Sequence, residues 1–352
     1  MIDVVCFGEI LWDVFESGRP RHGEPIARQF RPELGGAPAN VAIGLARLGA
    51  RSALVAGVGR DRLGDALVAE LKSDGVDTRF VQQLPNRTGL TFVFRDERGE
   101  PDYLFYRHES ADLAIRAAHI TPAMGRAHWV LLGTSMLMTR ELAGATEAFL
   151  NVAQSEGAQP FVDLNVRPHL WSSPALMRRA IGKLASRASL VKASDADLQA
   201  IGGDAADLKW LERWAPKATW LITRGAGEAS AIGAHGEVHM PAMRTRCVSA
   251  TGAGDAFIAG TLATLVAARA LPGTRAWADP DLWRTALRVG HSMGKKAVSA
   301  AGAVAGLRNL GPIVALIDGV RGGSASAPNG RRTASRTTPG MARRGARARL
   351  IA

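Results

Sequence analysis

The sequence predicts an α/β protein with a mostly parallel central sheet and helices on both faces. Two observations carry that prediction: short β-rich runs alternate with helical patterns along most of the chain, and polar residues collect just after the apolar runs. VVCFG leads into a helical pattern over 38–48, SALVAGVG into 66–73, HWVLLG into 140–155, PFVDLN into 175–185 and SLVKAS into 196–201, with TWLIT further on. One stretch breaks the rhythm. GLTFVF and YLFYRH flank the polar turn RDERGEPD and alternate with period two, which predicts an antiparallel hairpin. With the polar segment 16–31 it would form a small β lid over one end of the sheet, from segments of about 14–33 and 86–110.

A chain of 352 residues with 47% hydrophobic content can bury a sizeable core and is not disordered throughout. Its net charge of +12 suggests nucleic-acid binding until it is located. Residues 321–352 hold eight arginines and no Asp or Glu, so the other 320 residues carry only +4 of that charge. Gly, Ser, Ala, Pro, Thr and Arg dominate this end, which is expected to be a disordered tail beyond one domain over 1–320. A solvated extension is the default for such a tail, and weak attraction to RNA the alternative. Cys6 and Cys247 fit neither a disulfide framework nor a zinc spacing, which points to a reducing cytoplasm. Near the C-terminus the longest uncharged apolar stretch, 256–268, is shorter than the roughly 20 residues that span a bilayer. No membrane association is expected.

In open parallel sheets the site lies beyond the carboxyl ends of the strands. There this sequence places Asp13, then Asp163, Asn165 and Arg167, then Ser194 to Asp197, then Thr223 and Gly225, a collection that suits an enzyme better than a scaffold. The stretch TGAGDAF makes the expectation specific. Gly252, Ala253 and Gly254 carry little bulk, so their N–H groups can approach an anion, and the apolar helix that follows aims its positive end at the same point. Asp255 at the lip of this hole could take a proton from an incoming hydroxyl while the amides hold a transferring phosphoryl group. Standing alone, the stretch could equally be a tight turn with Asp255 as a helix cap. A second glycine pair, Gly35 and Gly36, precedes Pro38 and Asn40 at another helix start, in GGAPANVAIGLARLGA. No Walker A pattern, no H-R-D with a downstream D-F-G and no H-E-x-x-H occurs.

GGAPANVAIGLARLGA and TGAGDAF together resemble the two signature motifs of the PfkB, or ribokinase-like, family of carbohydrate kinases, in the family's order. GEILWD, FYRHESAD, DLNVRPHLW, KASDAD, ITRGAGE and AVSAAGA lie between or after them, so the resemblance covers residues 3 to about 312. It implies a ribokinase-like three-layer α/β/α sandwich with a small β lid, an ATP- and Mg2+-dependent sugar kinase, with Asp255 as base. Ala253, Gly254 and the Asp255 amide would form the anion hole. The resemblance assigns Asp13, Gly35, Gly36 and Asn40 to the sugar, with Arg107 and Arg167 beside it. Thr223, Gly225 and Gly227 resemble a nucleotide-contacting T-x-G-x-x-G turn, although Glu228 stands at its last glycine. Ser194 and Asp197 stand where the family often has N-x-x-E, whose acidic member orients magnesium-bound water.

The clearest departure is Ser249, where family members typically carry an Asp that helps hold a monovalent cation; backbone near Thr251, Ala297, Ala300 and Gly302 would be the rest of that potassium site. GEILWDVF, GGAPAN and FYR followed by SAD look most like fructokinases. A 2-keto-3-deoxygluconate kinase or another sugar-acid kinase is the nearest alternative. A nucleoside kinase, or a binding protein that has lost catalysis, comes behind both. An exposed lid edge makes a homodimer the expected assembly.

Overall fold

The computed structural model describes residues 1–18, 26–95, 101–300, 302–307, 310 and 313; the arginine-rich 321–352 lies outside the described residues. In chain order the N-terminal part runs β1 (Ile2–Phe7), β2 (Leu11–Ser17), β3 (Gln29–Gly35), α1 (Ala37–Arg47), β4 (Ser52–Gly59), α2 (Arg62–Ser73), β5 (Val81–Leu84), β6 (Leu90–Arg95) and β7 (Pro101–Tyr106). Next come β8 (Ala127–Gly133), α3 (Arg140–Ser155), β9 (Gln159–Asp163), α4 (Pro174–Ala185), β10 (Leu190–Ser194), α5 (Asp195–Ile201) and α6 (Leu208–Trp214). The chain continues through β11 (Thr219–Thr223), β12 (Glu228–Gly233), β13 (Gly236–Pro241), α7 (Ala253–Ala267) and α8 (Pro280–Val298).

Nine strands form one sheet in the order β13-β12-β11-β10-β9-β8-β1-β4-β5. All pairs from β11 to β5 are parallel; β12 and β13 add an antiparallel hairpin at one edge. Side chains of a strand point alternately to the two faces, and the core divides accordingly. Val4, Cys6, Leu54, Leu131, Phe161, Leu190 and Leu221 pack with residues of α1, α2, α7 and α8. Val5, Phe7, Val55, Val130, Val162, Val191 and Ile222 pack with those of α3, α4, α5 and α6. The result is the three-layer α/β/α sandwich expected.

Helix α7 has no polar face. Ala256 to Leu265 are all buried, because α1 and α8 flank the helix as well as the sheet beneath it. Small residues set the spacing: a Cβ on Gly44 of α1 would lie 2.7 Å from the Ala259 methyl, and one on Gly290 of α8 2.5 Å from Thr261 Oγ1. The apolar run at 256–268 is therefore a central core helix, seated so that its N-terminus opens at the strand ends.

The remaining four strands form the lid, in the order β3-β2-β6-β7. As expected, GLTFVF and YLFY pair antiparallel (β6 with β7), and β2 joins β6 in parallel. Asp61 ties the lid to the body, capping α2 at Gly64 N–H and accepting from Thr88 N–H (2.9 Å) just before β6. On one lid face Phe92 meets Phe30 and Tyr106 at ring distances of 5.6 and 5.5 Å. The opposite face carries Asp13 and Phe105, and Phe105 stacks on His169 of the body.

Candidate active site

Chain progress across the sheet reverses at β1, which has β4 on one side and β8 on the other. A crevice at such a switch point, beyond the carboxyl ends of the strands, is where open α/β sheets bind ligands. Here a small cleft is lined by Glu9 after β1, Pro38 of α1, Ser135 after β8 and Asp163 and Asn165 at the end of β9.

The first glycine pair is explained by what it must clear. A Cβ on Gly35 would lie 2.3 Å from Asp13 Oδ2, and one on Gly36 would lie 2.3 Å from the Glu9 carbonyl. Gly36 also holds φ 103°, a left-handed conformation that costs glycine little. Close approach of β3 to β2 thus delivers Asp13 and Asn40 to the same space. Asn40 is buried and donates from Nδ2 to Asp255 Oδ2 at 2.8 Å, while its Oδ1 has no hydrogen-bond partner among the described residues.

Gly252 holds φ 77° and starts α7; a Cβ there would lie 2.6 Å from the Ala303 backbone. Ala253 N–H closes the turn onto Ala250 O (3.2 Å), whereas Gly254 and Asp255 N–H have no partner among the described residues and point out of the helix start. Asp255 is half-buried. Desolvation raises it to about 7; Asp163 and Glu9 push the same way, while the Asn40 hydrogen bond and Lys192 oppose them. Asp13 is likewise raised to about 7 by desolvation, with Asp255 and Glu9 adding repulsion and Arg107 opposing. A carboxyl poised near neutrality beside unpaired N–H groups can accept a proton and hold an anion at one place.

Arg107, at the end of the lid, is 12% exposed and donates from Nε and Nη2 to Asp112 Oδ2 at 2.9 and 2.5 Å. Burial alone would lower its pKa, but Asp112, Glu9 and Asp13 raise it, so it stays charged. Arg167 is exposed at the rim and donates to the Val166 carbonyl. Arg107 acts on the Asp13 carboxyl and Arg167 on that of Asp163, so each arginine lies near a carboxylate of the strand ends.

The other expected groups sit further along the strand ends. Ser194 caps α5, and Asp197 accepts from both Ser194 N–H and Val166 N–H at 2.7 Å. With both oxygens engaged, Asp197 clamps the loop after β9. Thr223, Gly225 and Gly227 form the turn into β12; Gly225 has φ 53°, and Gly227 N–H donates to Arg224 O. Glu228 faces Arg224 (3.2 Å) and His239 (3.4 Å) at the β12–β13 edge.

Ser249 Oγ accepts from Thr251 N–H, and Val248 and Ser249 N–H donate to Val298 O, which brings 248–252 against the end of α8, where Ala297 O accepts from Ala300 N–H. Gly302 (φ 101°) lies beside the carboxylate of Glu33, itself paired with Arg31. Among the described residues no group of three His, Cys, Asp or Glu could hold a metal ion. Ser249 itself offers a hydroxyl and no charge.

Comparison with known proteins gives the family. The pfkB family carbohydrate kinase profile matches residues 1–309. The chain belongs to the pfkB family of carbohydrate kinases. It is therefore a phosphotransferase acting on a sugar hydroxyl. The kinase is 33% identical over 280 residues to a fructokinase of Escherichia coli, covering 78% of this chain and 88% of that one. To a probable fructokinase-2 of Arabidopsis thaliana it is 32% identical over 272 residues, 75% and 81% of the two chains. Among solved structures, a fructokinase with bound ATP from Xylella fastidiosa superposes with a TM-score of 0.78 at 28% identity, covering 92% of the kinase and 99% of the other chain. An aminoimidazole riboside kinase from Salmonella enterica shares the fold (TM-score 0.75, 24% identity, 90% and 99% covered).

Sequence reasoning missed several groups of the kinase's cleft. Glu9, 8% exposed, accepts from Ser135 Oγ at 2.7 Å; Asp112 neutralises Arg107; Lys192 lies among Asp163, Asp197 and Asp255. Lys192 did leave a signal, a charge in the middle of an otherwise buried parallel strand.

Proposed function

We propose that this kinase phosphorylates fructose with ATP, carried as its magnesium complex, and that Asp255 is the base. The observation that carries the reading is the Asp255 carboxyl, raised to about 7 beside the unpaired Gly254 and Asp255 N–H groups at the start of α7. Sugar hydroxyls are held by Asp13, Asn40 and the Gly36 backbone, with Arg107 under the lid. Asp255 accepts the proton of the attacking hydroxyl, and the helix N-terminus stabilises charge on the transferring phosphoryl group. The base of the nucleotide lies toward the turn of Thr223, Gly225 and Gly227. Magnesium arrives with the ATP phosphates; the kinase needs few carboxylates for it, since substrate phosphates and water supply most ligands of such an ion.

Charge favours a neutral ketose over a sugar acid. Glu9, Asp13, Asp163 and Asp255 gather at the cleft, whereas Arg107 is committed to Asp112 and Lys192 to Asp163. A carboxylate on the substrate would add repulsion, with only the exposed Arg167 near Asp163 to meet it. Fructokinase names among the relatives point the same way. The same reading places the kinase in the cytoplasm, where ATP is abundant and the thiols of Cys6 and Cys247 stay reduced. It also pairs two copies through the aromatic lid face.

A coupled assay of ADP release over fructose, ribose, 2-keto-3-deoxygluconate and nucleosides tests the substrate; fructose should have the highest kcat/KM, and a higher value for the sugar acid would reject the charge argument. Asp255→Asn should lose at least about 10²-fold in kcat while still binding ATP in calorimetry. Near-normal turnover by that variant sinks the assignment of the base.

A further inference from the structure

Lys192 is a buried cation that the reading above leaves without a role. Its side chain is 7% exposed, with Nζ 3.3 Å from Asp163 Oδ1 and 3.9 Å from Asp197 Oδ2. Lys192 and Asp163 are register partners on neighbouring parallel strands, so both project to the face that α7 covers. The ammonium fills the space beside Gly254: a Cβ there would lie 3.3 Å from Nζ. Glycine at 254 thus leaves room for a lysine as well as for an anion.

The placement is electrostatically costly on its own terms. A helix N-terminus carries partial positive charge and favours anions, so an ammonium against the first turn of α7 is repelled by it. Buried ion pairs also lose much of their Coulomb energy to desolvation, and well-packed apolar replacements are often as stable. Asp163 Oδ1 moreover lacks an aligned hydrogen bond despite its short distance to Nζ. Stability therefore gives weak reason for this lysine at the mouth of the cleft. A function for a phosphate-handling site gives a stronger one.

We infer that Lys192 is a positioning residue of phosphoryl transfer, held by Asp163 and Asp197 behind the first turn of α7 so that its charge keeps Asp255 a carboxylate and makes the helix start more attractive to the transferring phosphate. Every charged group facing Asp255 takes part in this balance: Glu9 after β1, Asp13 on the lid and Asp163 on β9 disfavour its charge, while Lys192 on β10 and the Asn40 amide on α1 favour it. Burial opposes the lysine's own charge, but Asp163, Asp197 and Asp255 outweigh it and keep it protonated.

The inference rests on Asp255 being the base, and its test separates the two. The pH dependence of kcat/KM is measured for the full-length kinase with fructose and for Lys192→Met, Lys192→Arg and Asp163→Asn. Removing the cation should move the acid limb to higher pH by about one unit, and removing the Asp163 charge should move it the other way. Lys192→Met should also lose at least about tenfold in kcat with the sugar KM held within about twofold, and Lys192→Arg should recover part of that loss. A merely structural pair would give shifts of the same sign or none, and either result overturns the inference. Should Lys192→Met fail to fold, the downward shift in Asp163→Asn and the retained limb in Lys192→Arg decide alone. Asp255→Asn run alongside keeps the failures apart: if it stays active the base assignment falls, and if it is inactive while the limbs do not move oppositely, only the role of Lys192 falls.

Discussion

The phosphoryl-transfer site proposed at the mouth of α7 needs little side-chain chemistry of the chain. Gly254 and Asp255 N–H, one carboxyl tuned by its neighbours and one amide at 2.8 Å make up its centre. The tuning also has a consequence for stability. Asp13 and Asp255 both sit above the ordinary carboxylate value, so their ionisation costs stability that is fully felt above about pH 7 and disappears as pH falls below about 4. Activity runs the opposite way, since the base must be ionised to work. Ser249 belongs to this scale too. With a hydroxyl in place of a charge, and that hydroxyl accepting from Thr251 N–H, turnover in potassium and in choline salts should agree within about twofold. Ser249→Asp should create potassium binding measurable by calorimetry. A strong potassium requirement in the unaltered kinase would show that carbonyls alone suffice.

At the scale of elements, the site depends on where α7 is held. Its N-terminus is placed by packing along its length, through the close contacts of Gly44 with Ala259 and of Gly290 with Thr261. Gly44→Val should overfill the α1–α7 contact and cost about 1–3 kcal/mol in urea unfolding, with a lower kcat as Asp255 moves relative to Asn40. Unchanged stability and activity would mean that α1 can retreat freely. The TGAGD motif was legible in sequence because it stands in family order with GGAPANVAIGLARLGA; alone it could equally have been a capped turn. The packing that aims it was not, since α8 and the β12–β13 hairpin bear no motif and reveal themselves only through what they touch.

For the whole molecule, the lid decides more than access. Leu104 and Tyr106 are 49% and 60% exposed, on the face where Phe92 and Phe30 meet. An apolar sheet face of this kind suits the proposed pairing of two copies. Sedimentation should find a dimer at micromolar concentration, and Leu104→Glu with Tyr106→Glu should yield monomers; a monomeric parent would remove the second copy from the proposal. The second lid segment was readable from its period-two pattern, whereas the first was marked only as a polar stretch. That its inner face carries Asp13 and Phe105 toward the body while its outer face collects the aromatics follows from strand register, which places β2 between β3 and β6.

By itself, the sequence determined the α/β class and the order of motifs that marks the family, the glycine turn with its carboxylate among them, because the first depends on local periodicity and the second on several motifs occurring together. Tertiary structure alone decided which charges meet. Asp112 pairs with Arg107, Arg167 is exposed, Asp197 accepts from two backbone N–H groups, and Lys192 comes to lie behind Gly254. The physical reason is that a charge's effect depends on distance and burial, and these are set by strands and helices far apart in the chain.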